Sequence, residues 1–348
     1  MDRKHFIRKS LKYTTLLKSH LKGSLFNSVN FVRIIPTDRC NLNCAYCWQK
    51  DDSSDEMSLV AFRNYLDKAI RLDVGLITIL GGEPMLWDGI YEAIAACTEK
   101  NVLSDMTTNG TLLNRETITM LAESGLDYLN ISTDGLKISS VSKKNNLIRR
   151  ELIGALHDAK KMYGMHYRLN AVLYKDNFDE IKKLINFAKY NNTQISIGYA
   201  VPPVDRINPS NKDIYFSHQD KEKLQEIINY LLLKINTGYP IIDPDSYFEN
   251  IFRFLNRERF WKCNYPTRYG WINIAPNGKI RSCTKKMDEM DINFLELDTN
   301  SIKKTRKQMK KNLKICNAKC YSNCAYDSSY YVHNKFQLAK IIISRLSG

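Results

Sequence analysis

The chain has 348 residues, 43% of them hydrophobic, which suits one large globular domain plus a smaller one and argues against disorder. Fifty-two Lys and Arg against 37 Asp and Glu give a formal charge of +15, a surface that attracts phosphates. No apolar run approaches the ~18 to 20 residues of a membrane-spanning helix, and no RNA-binding signature is present, so no nucleic acid is expected.

The first 28 residues read as a separate basic helical extension. Leu11, Leu16, Leu17, Leu21 and Leu25 stand among lysines and form an amphipathic segment suited to peripheral contact with an anionic membrane. Lys12, Lys18 and Lys22 interrupt the leucines, so no secretory h-region forms. Nine cysteines without such a signal place the chain in a reducing compartment, and the cytoplasm is expected.

From 29 to 200, β-rich runs alternate with amphipathic stretches. Six strands are predicted: Asn30 to Ile35, Val74 to Leu80, Val102 to Thr108, Asp127 to Thr133, His166 to Tyr174 and Gln194 to Tyr199. Helical stripes lie between them, such as Leu59, Phe62, Leu66, Ala69 and Ile70, or Ile181, Leu184, Ile185 and Ala188. Six such units make an α/β fold, a partial (β/α)6 TIM-like barrel, whose chemistry belongs in the loops after the strands. The stretch 201–259 reads as a helical linker, with helices at Gln219 to Asn236 and Ser246 to Arg259. The stretch 260–348 is a cysteine-rich α+β domain. It has a hairpin at Pro276-Asn277-Gly278, a basic helix containing Lys303 to Lys314, and a closing helix near Lys335 to Leu346.

The loop after the first strand holds Cys40, Cys44 and Cys47 in a C-x3-C-x2-C arrangement. Three thiolates can wrap three corners of a cubane cluster and leave one iron open, whereas a closed zinc site takes four ligands. The later loops carry Gly81-Gly82-Glu83-Pro84, Thr107-Thr108-Asn109-Gly110 and Ser132-Thr133-Asp134-Gly135, at the ends of strands two, three and four.

This set resembles the radical S-adenosylmethionine (radical SAM) superfamily, whose cysteine motif carries an aromatic residue, here Tyr46, before the last thiol. The resemblance implies a 4Fe-4S cluster on Cys40, Cys44 and Cys47 that cleaves S-adenosylmethionine to a 5′-deoxyadenosyl radical. It implies cofactor contacts at Tyr46, Gly81, Gly82, Glu83, Pro84, Asn109, Ser132 and Asp134, and a reducing partner such as a flavodoxin or ferredoxin. Toward the carboxyl end, Cys263, Gly278 and Cys283, then Cys316, Cys320 and Cys324, resemble the SPASM and twitch extensions. That implies an auxiliary 4Fe-4S cluster on Cys263, Cys283, Cys324 and either Cys320 or Cys316. Cys97, on a helix stripe with Ile90 and Ile94, is core.

The expected reaction is hydrogen abstraction from a small-molecule or lipid-linked metabolite, with a peptide-modifying maturase as the alternative. An iron-sulfur electron carrier and a zinc-stabilised binding protein are the non-enzyme readings. Asn170, Tyr174, Tyr199 and Asp205 lie near the ends of strands five and six, where substrate would meet them; the sequence assigns no acid or base.

Overall fold

The computed structural model describes residues 9–19, 29–47, 49–52, 55–144, 150–201, 213–258, 260–263, 271–283, 289–316 and 320–333. Asp205, the closing helix near Lys335 and the side chain of Cys316 lie outside these residues.

Val, Ile and Leu recur at alternate positions of most of the first six strands, and each strand pairs in parallel with the next. They are β1 (Phe31–Ile34), β2 (Leu76–Ile79), β3 (Leu103–Thr108), β4 (Tyr128–Ser132), β5 (His166–Leu173) and β6 (Gln194–Tyr199). All six fall where the sequence predicts them. Helices α2 (Leu59–Arg71), α3 (Ile90–Glu99), α4 (Arg115–Glu123), α5 (Arg150–Tyr163) and α6 (Phe178–Tyr190) cover one face of the sheet. Their stripes, Phe62 and Leu66 in α2 or Ile181 and Leu184 in α6, bury Ile34, Ile77, Ile131 and Leu169 in one core. That burial drives the assembly. Cys97 belongs to it, and its burial pushes the thiol up to about 12, so it is inert.

Because strand residues alternate sides, the opposite, concave face carries the other set. On it lie Arg33, Thr78 and Asp105, which are in register across β1 to β3, and Asn130 and Arg168, which pair across β4 and β5, with Asn170 and Ser196 paired one step further along β5 and β6. The α/β partial barrel thus has an apolar wall and a polar hollow.

The carboxyl-terminal hairpin continues the same sheet. β7 (Trp271–Ile274) runs parallel to β1, with Phe31 beside Trp271, and β8 (Lys279–Arg281) and β9 (Glu289–Asn293) follow antiparallel. The strand order is β6-β5-β4-β3-β2-β1-β7-β8-β9. Gly278 makes the predicted turn at φ +81°. The sequence locates this hairpin but not its pairing with β1, and it misses β9.

After β6 the chain forms α7 (Lys221–Asn236) and then α8 (Asp245–Glu249) and α9 (Ile251–Leu255). One predicted helix is thus broken at Asn250. Beyond β9 come α10 (Thr299–Cys316) and α11 (Asn323–His333). Tyr199, expected to meet substrate, is instead buried among Phe216, Tyr247, Phe248 and Tyr321. The Tyr174 hydroxyl is engaged with Ser139 at 2.8 Å, while Asn170 stays on the concave face.

Helix α1 (9–19) is docked at the amino ends of the strands. Lys12 is 3% exposed and its Nζ lies 2.7 Å from Asp127 Oδ2, 3.0 Å from the Gly125 carbonyl and 3.2 Å from Thr98 Oγ1. Lys9 Nζ lies 2.8 Å from His166 Nε2. Lys9 and Lys12, two cations of the basic amino-terminal segment, are therefore taken into the barrel floor, although Leu11 and Leu17 remain exposed. No described helix is long and apolar enough to cross a membrane.

Candidate functional site

The loops after β1 to β4 meet at one end of the sheet through specific ties. Gly82 N donates to the Thr37 carbonyl at 3.0 Å and Glu83 N to the Arg39 carbonyl at 2.8 Å, so the Gly-Gly segment lies directly on the cysteine loop. A Cβ on Gly82 would collide with the Arg39 carbonyl oxygen, and one on Gly81 with that of Thr37. Only glycine permits this approach.

Glu83 is fully buried and braces the next loop. It accepts from Thr108 Oγ1 at 2.7 Å, the Asn109 amide at 2.6 Å and the Met85 amide at 3.1 Å. Burial pushes its carboxyl up, against three hydrogen bonds that favour the ionised form. Pro84, also buried, opens a short 3-10 turn (Pro84–Leu86). Asn109 Nδ2 reaches Asn41 Oδ1 at 2.8 Å and Cys40 Sγ at 3.7 Å, carrying the third loop to the cysteines.

Asp134 is the corresponding hub after β4. It accepts from the Tyr46 hydroxyl, from Ser142 Oγ at 2.5 Å and from the Val172 amide at 2.7 Å, and Lys144 Nζ stands 3.9 Å away. Lys144 also sits 5.2 Å above the Tyr46 ring. Burial pushes the Tyr46 phenol well up, so it remains a donor. For Lys144, burial works downward but is outweighed by Asp134 and Tyr46, which hold the ammonium above its ordinary value. Ser132 ends β4 on the concave side, with no side-chain hydrogen bond to a described residue.

Glu83, Asp134 and Tyr46 are thus engaged with protein partners. Lys144, Ser142, Arg33 and Arg168 escape the sequence reading. For the two arginines a signal existed, a charge at the inward position of an alternating strand; for Lys144 and Ser142 none did.

Cys44 is buried, Cys40 half-buried and Cys47 exposed, and the Cys47 amide donates to the Cys44 carbonyl at 2.9 Å. Burial pushes the Cys40 thiol up. No three Cys, His, Asp or Glu among the described residues converge as a metal site. The fit to a 4Fe-4S cluster is one of donor chemistry, since three thiols on one short loop suit a cubane with an open corner better than a closed zinc site. Toward the carboxyl end, Trp261 packs on Tyr326 with ring centroids 5.5 Å apart, bringing the segment of Cys263 beside that of Cys320 and Cys324. Cys283 follows β8, on the hairpin beside β1.

A family model described as the Radical SAM superfamily matches residues 34–188. The chain is 28% identical to a GTP 3′,8-cyclase of Helicobacter pylori (strain HPAG1), over 83% of this chain and 91% of that protein. It is 30% identical to a GTP 3′,8-cyclase of Staphylococcus haemolyticus over 51% of this chain and 56% of that protein. Among solved structures, Streptococcus suis SuiB bound to S-adenosylmethionine superposes with a TM-score of 0.59 at 20% identity, covering 81% of this chain and 68% of that one. At that identity the likeness speaks for the fold. A matching family model over the cluster loop, cyclase relatives along most of the chain and a polar-lined partial barrel agree with the cysteine motif: the chain is a radical SAM enzyme, and a 4Fe-4S cluster and S-adenosylmethionine are its cofactors.

Proposed function

We propose that the enzyme abstracts hydrogen from a small anionic metabolite held in the polar hollow, of the purine nucleoside triphosphate class. Cys40, Cys44 and Cys47 hold the cluster, and Gly81, Gly82, Pro84, Asn109 and Ser132 line the place of S-adenosylmethionine. Together these cofactors supply the one-electron cleavage that yields the 5′-deoxyadenosyl radical. Glu83, Asp134, Tyr46 and Lys144 would keep the four loops in position around the cofactors and so pre-organise the site. Cys263, Cys283, Cys324 and either Cys320 or Cys316 hold an auxiliary cluster.

The observation that carries the substrate class is the pair of guanidiniums, Arg33 and Arg168, half-buried on the concave face. Arg33 also lies 4.2 Å over the Trp271 ring, which stacks on Phe31 at 4.7 Å. Guanidiniums in a low-dielectric hollow favour phosphate or carboxylate, and a hollow this polar suits a metabolite better than an acyl chain. GTP is the first candidate because the relatives that align along most of the chain act on it by name. The peptide-modifying reading has only likeness of fold behind it.

The test is anaerobic reconstitution, then incubation with S-adenosylmethionine, a reductant and GTP deuterated on the ribose. Deuterium in 5′-deoxyadenosine is the expected result. Unlabelled 5′-deoxyadenosine, formed at one rate with or without GTP, would reject it.

A further inference from the structure

Helix α11 lays one side against the concave face of β6. Asn323 Nδ2 donates to Ser196 Oγ at 3.0 Å, and a Cβ on Gly198 would meet the Asn323 amide. One turn later on the same face comes Asp327. Beside them Asp243 is satisfied, accepting from Ser196 Oγ at 2.9 Å and the Ile197 amide at 2.6 Å. Asp327 is not. Its Oδ1 is shut off from solvent and has no hydrogen-bond partner among the described residues.

Arg168 lies on the neighbouring strand β5, near enough for its charge to act on both Asp243 and Asp327. Yet its Nε is also buried and without a partner among the described residues. Opposite charges in one low-dielectric hollow close up unless something stands between them, because each is costly to leave unpaired. A donor and an acceptor held apart in this way fit a ligand edge with the complementary pattern.

We propose that Asp327 and Arg168 bracket the lactam edge of a nucleobase, Asp327 accepting its N–H groups and Arg168 donating to its carbonyl oxygen. Asn323, held by Ser196, positions the α11 side of this bracket. The base is then of guanine type, with paired N–H donors beside a carbonyl. This rests on the nucleotide reading above and extends it from the phosphate to the base.

Equilibrium dialysis of the full-length, anaerobically reconstituted enzyme with S-adenosylmethionine present, using GTP and xanthosine triphosphate as probes, tests it. The parent should prefer GTP. Asp327→Asn should lose about 10- to 100-fold in GTP affinity, the scale of one hydrogen bond to a charged group, and should shift the ratio toward xanthosine triphosphate, because its amide can donate to the 2-oxo group. Arg168→Met should weaken both probes. A merely structural Asp327 would lower melting temperature without moving the ratio. Binding of both nucleotides with a ratio unchanged in Asp327→Asn would overturn this assignment and leave the nucleotide reading standing. Binding of neither probe by an enzyme that still cleaves S-adenosylmethionine would overturn both.

Discussion

Arg281 donates from Nη1 to Asp38 Oδ1 at 3.0 Å and from Nη2 to Asp38 Oδ2 at 2.6 Å, a buried two-pronged bridge between residues 243 positions apart. Asp38 stands two residues before Cys40 and Arg281 two before Cys283, so the pair fastens the loop of one cysteine group to the hairpin of the other. Arg281 Nη2 also reaches Glu289 at 3.3 Å.

Replacing Arg281 by Met strands the Asp38 charge in the interior and should cost about 3 to 5 kcal/mol in urea unfolding. Lysine should recover only part of it, since an ammonium cannot reproduce the fork. A loss near zero for Arg281→Met would mean the bridge does not hold the hairpin to the loop.

Gly82→Ala should leave the helical content intact while reducing 5′-deoxyadenosine formation on the order of 100-fold, the penalty for misplacing reactive groups by about an ångström. Its new methyl group would force the second loop off the Arg39 carbonyl. Circular dichroism and product quantification separate the two effects, and normal turnover in a folded variant would count against the close approach.

Tyr46→Phe removes one of several donors to Asp134 and should cost about 1 to 2 kcal/mol. Asp134→Ala leaves the Val172 amide, the Ser142 hydroxyl and the Lys144 charge without their acceptor, and should cost more, about 3 kcal/mol or above. Urea titrations of both variants give the order, and the reverse ranking would remove Asp134 from its place as the hub.

Burial, then the neighbouring Lys9 and Lys160, lowers the His166 pKa from 6.5 to about 4. A cationic acid depressed in the folded state is protonated first in the unfolded chain, so its contribution to stability is full above about pH 6.5. It is lost as pH falls toward 4. Melting temperature should decline through that window, and His166→Gln should flatten this part of the slope. An unchanged profile would separate His166 from the floor contact with Lys9.

The six strands, the helix stripes and the three-thiol loop were legible because each is a local pattern. An alternation of two, a period of 3.6 and a spacing of three and two residues can be read within a dozen positions. The tying roles of Glu83 and Asp134 were not. A carboxylate in a loop reads the same whether it meets a ligand or accepts amides from the next loop, and only the packed neighbours distinguish the two cases. The same holds for Lys12, which looks like one more surface cation until the barrel floor closes over it.

By itself, then, the sequence determined the barrel, its direction and the chemistry at the first loop, because hydrophobic periodicity and thiol spacing act over short stretches of chain. The tertiary structure alone decided that β7 pairs with β1, that Arg281 finds Asp38 and that α11 carries Asp327 to the hollow beside Arg168. Those contacts join segments far apart in the chain, and their energy depends on register, burial and charge compensation that appear only when the chain has folded.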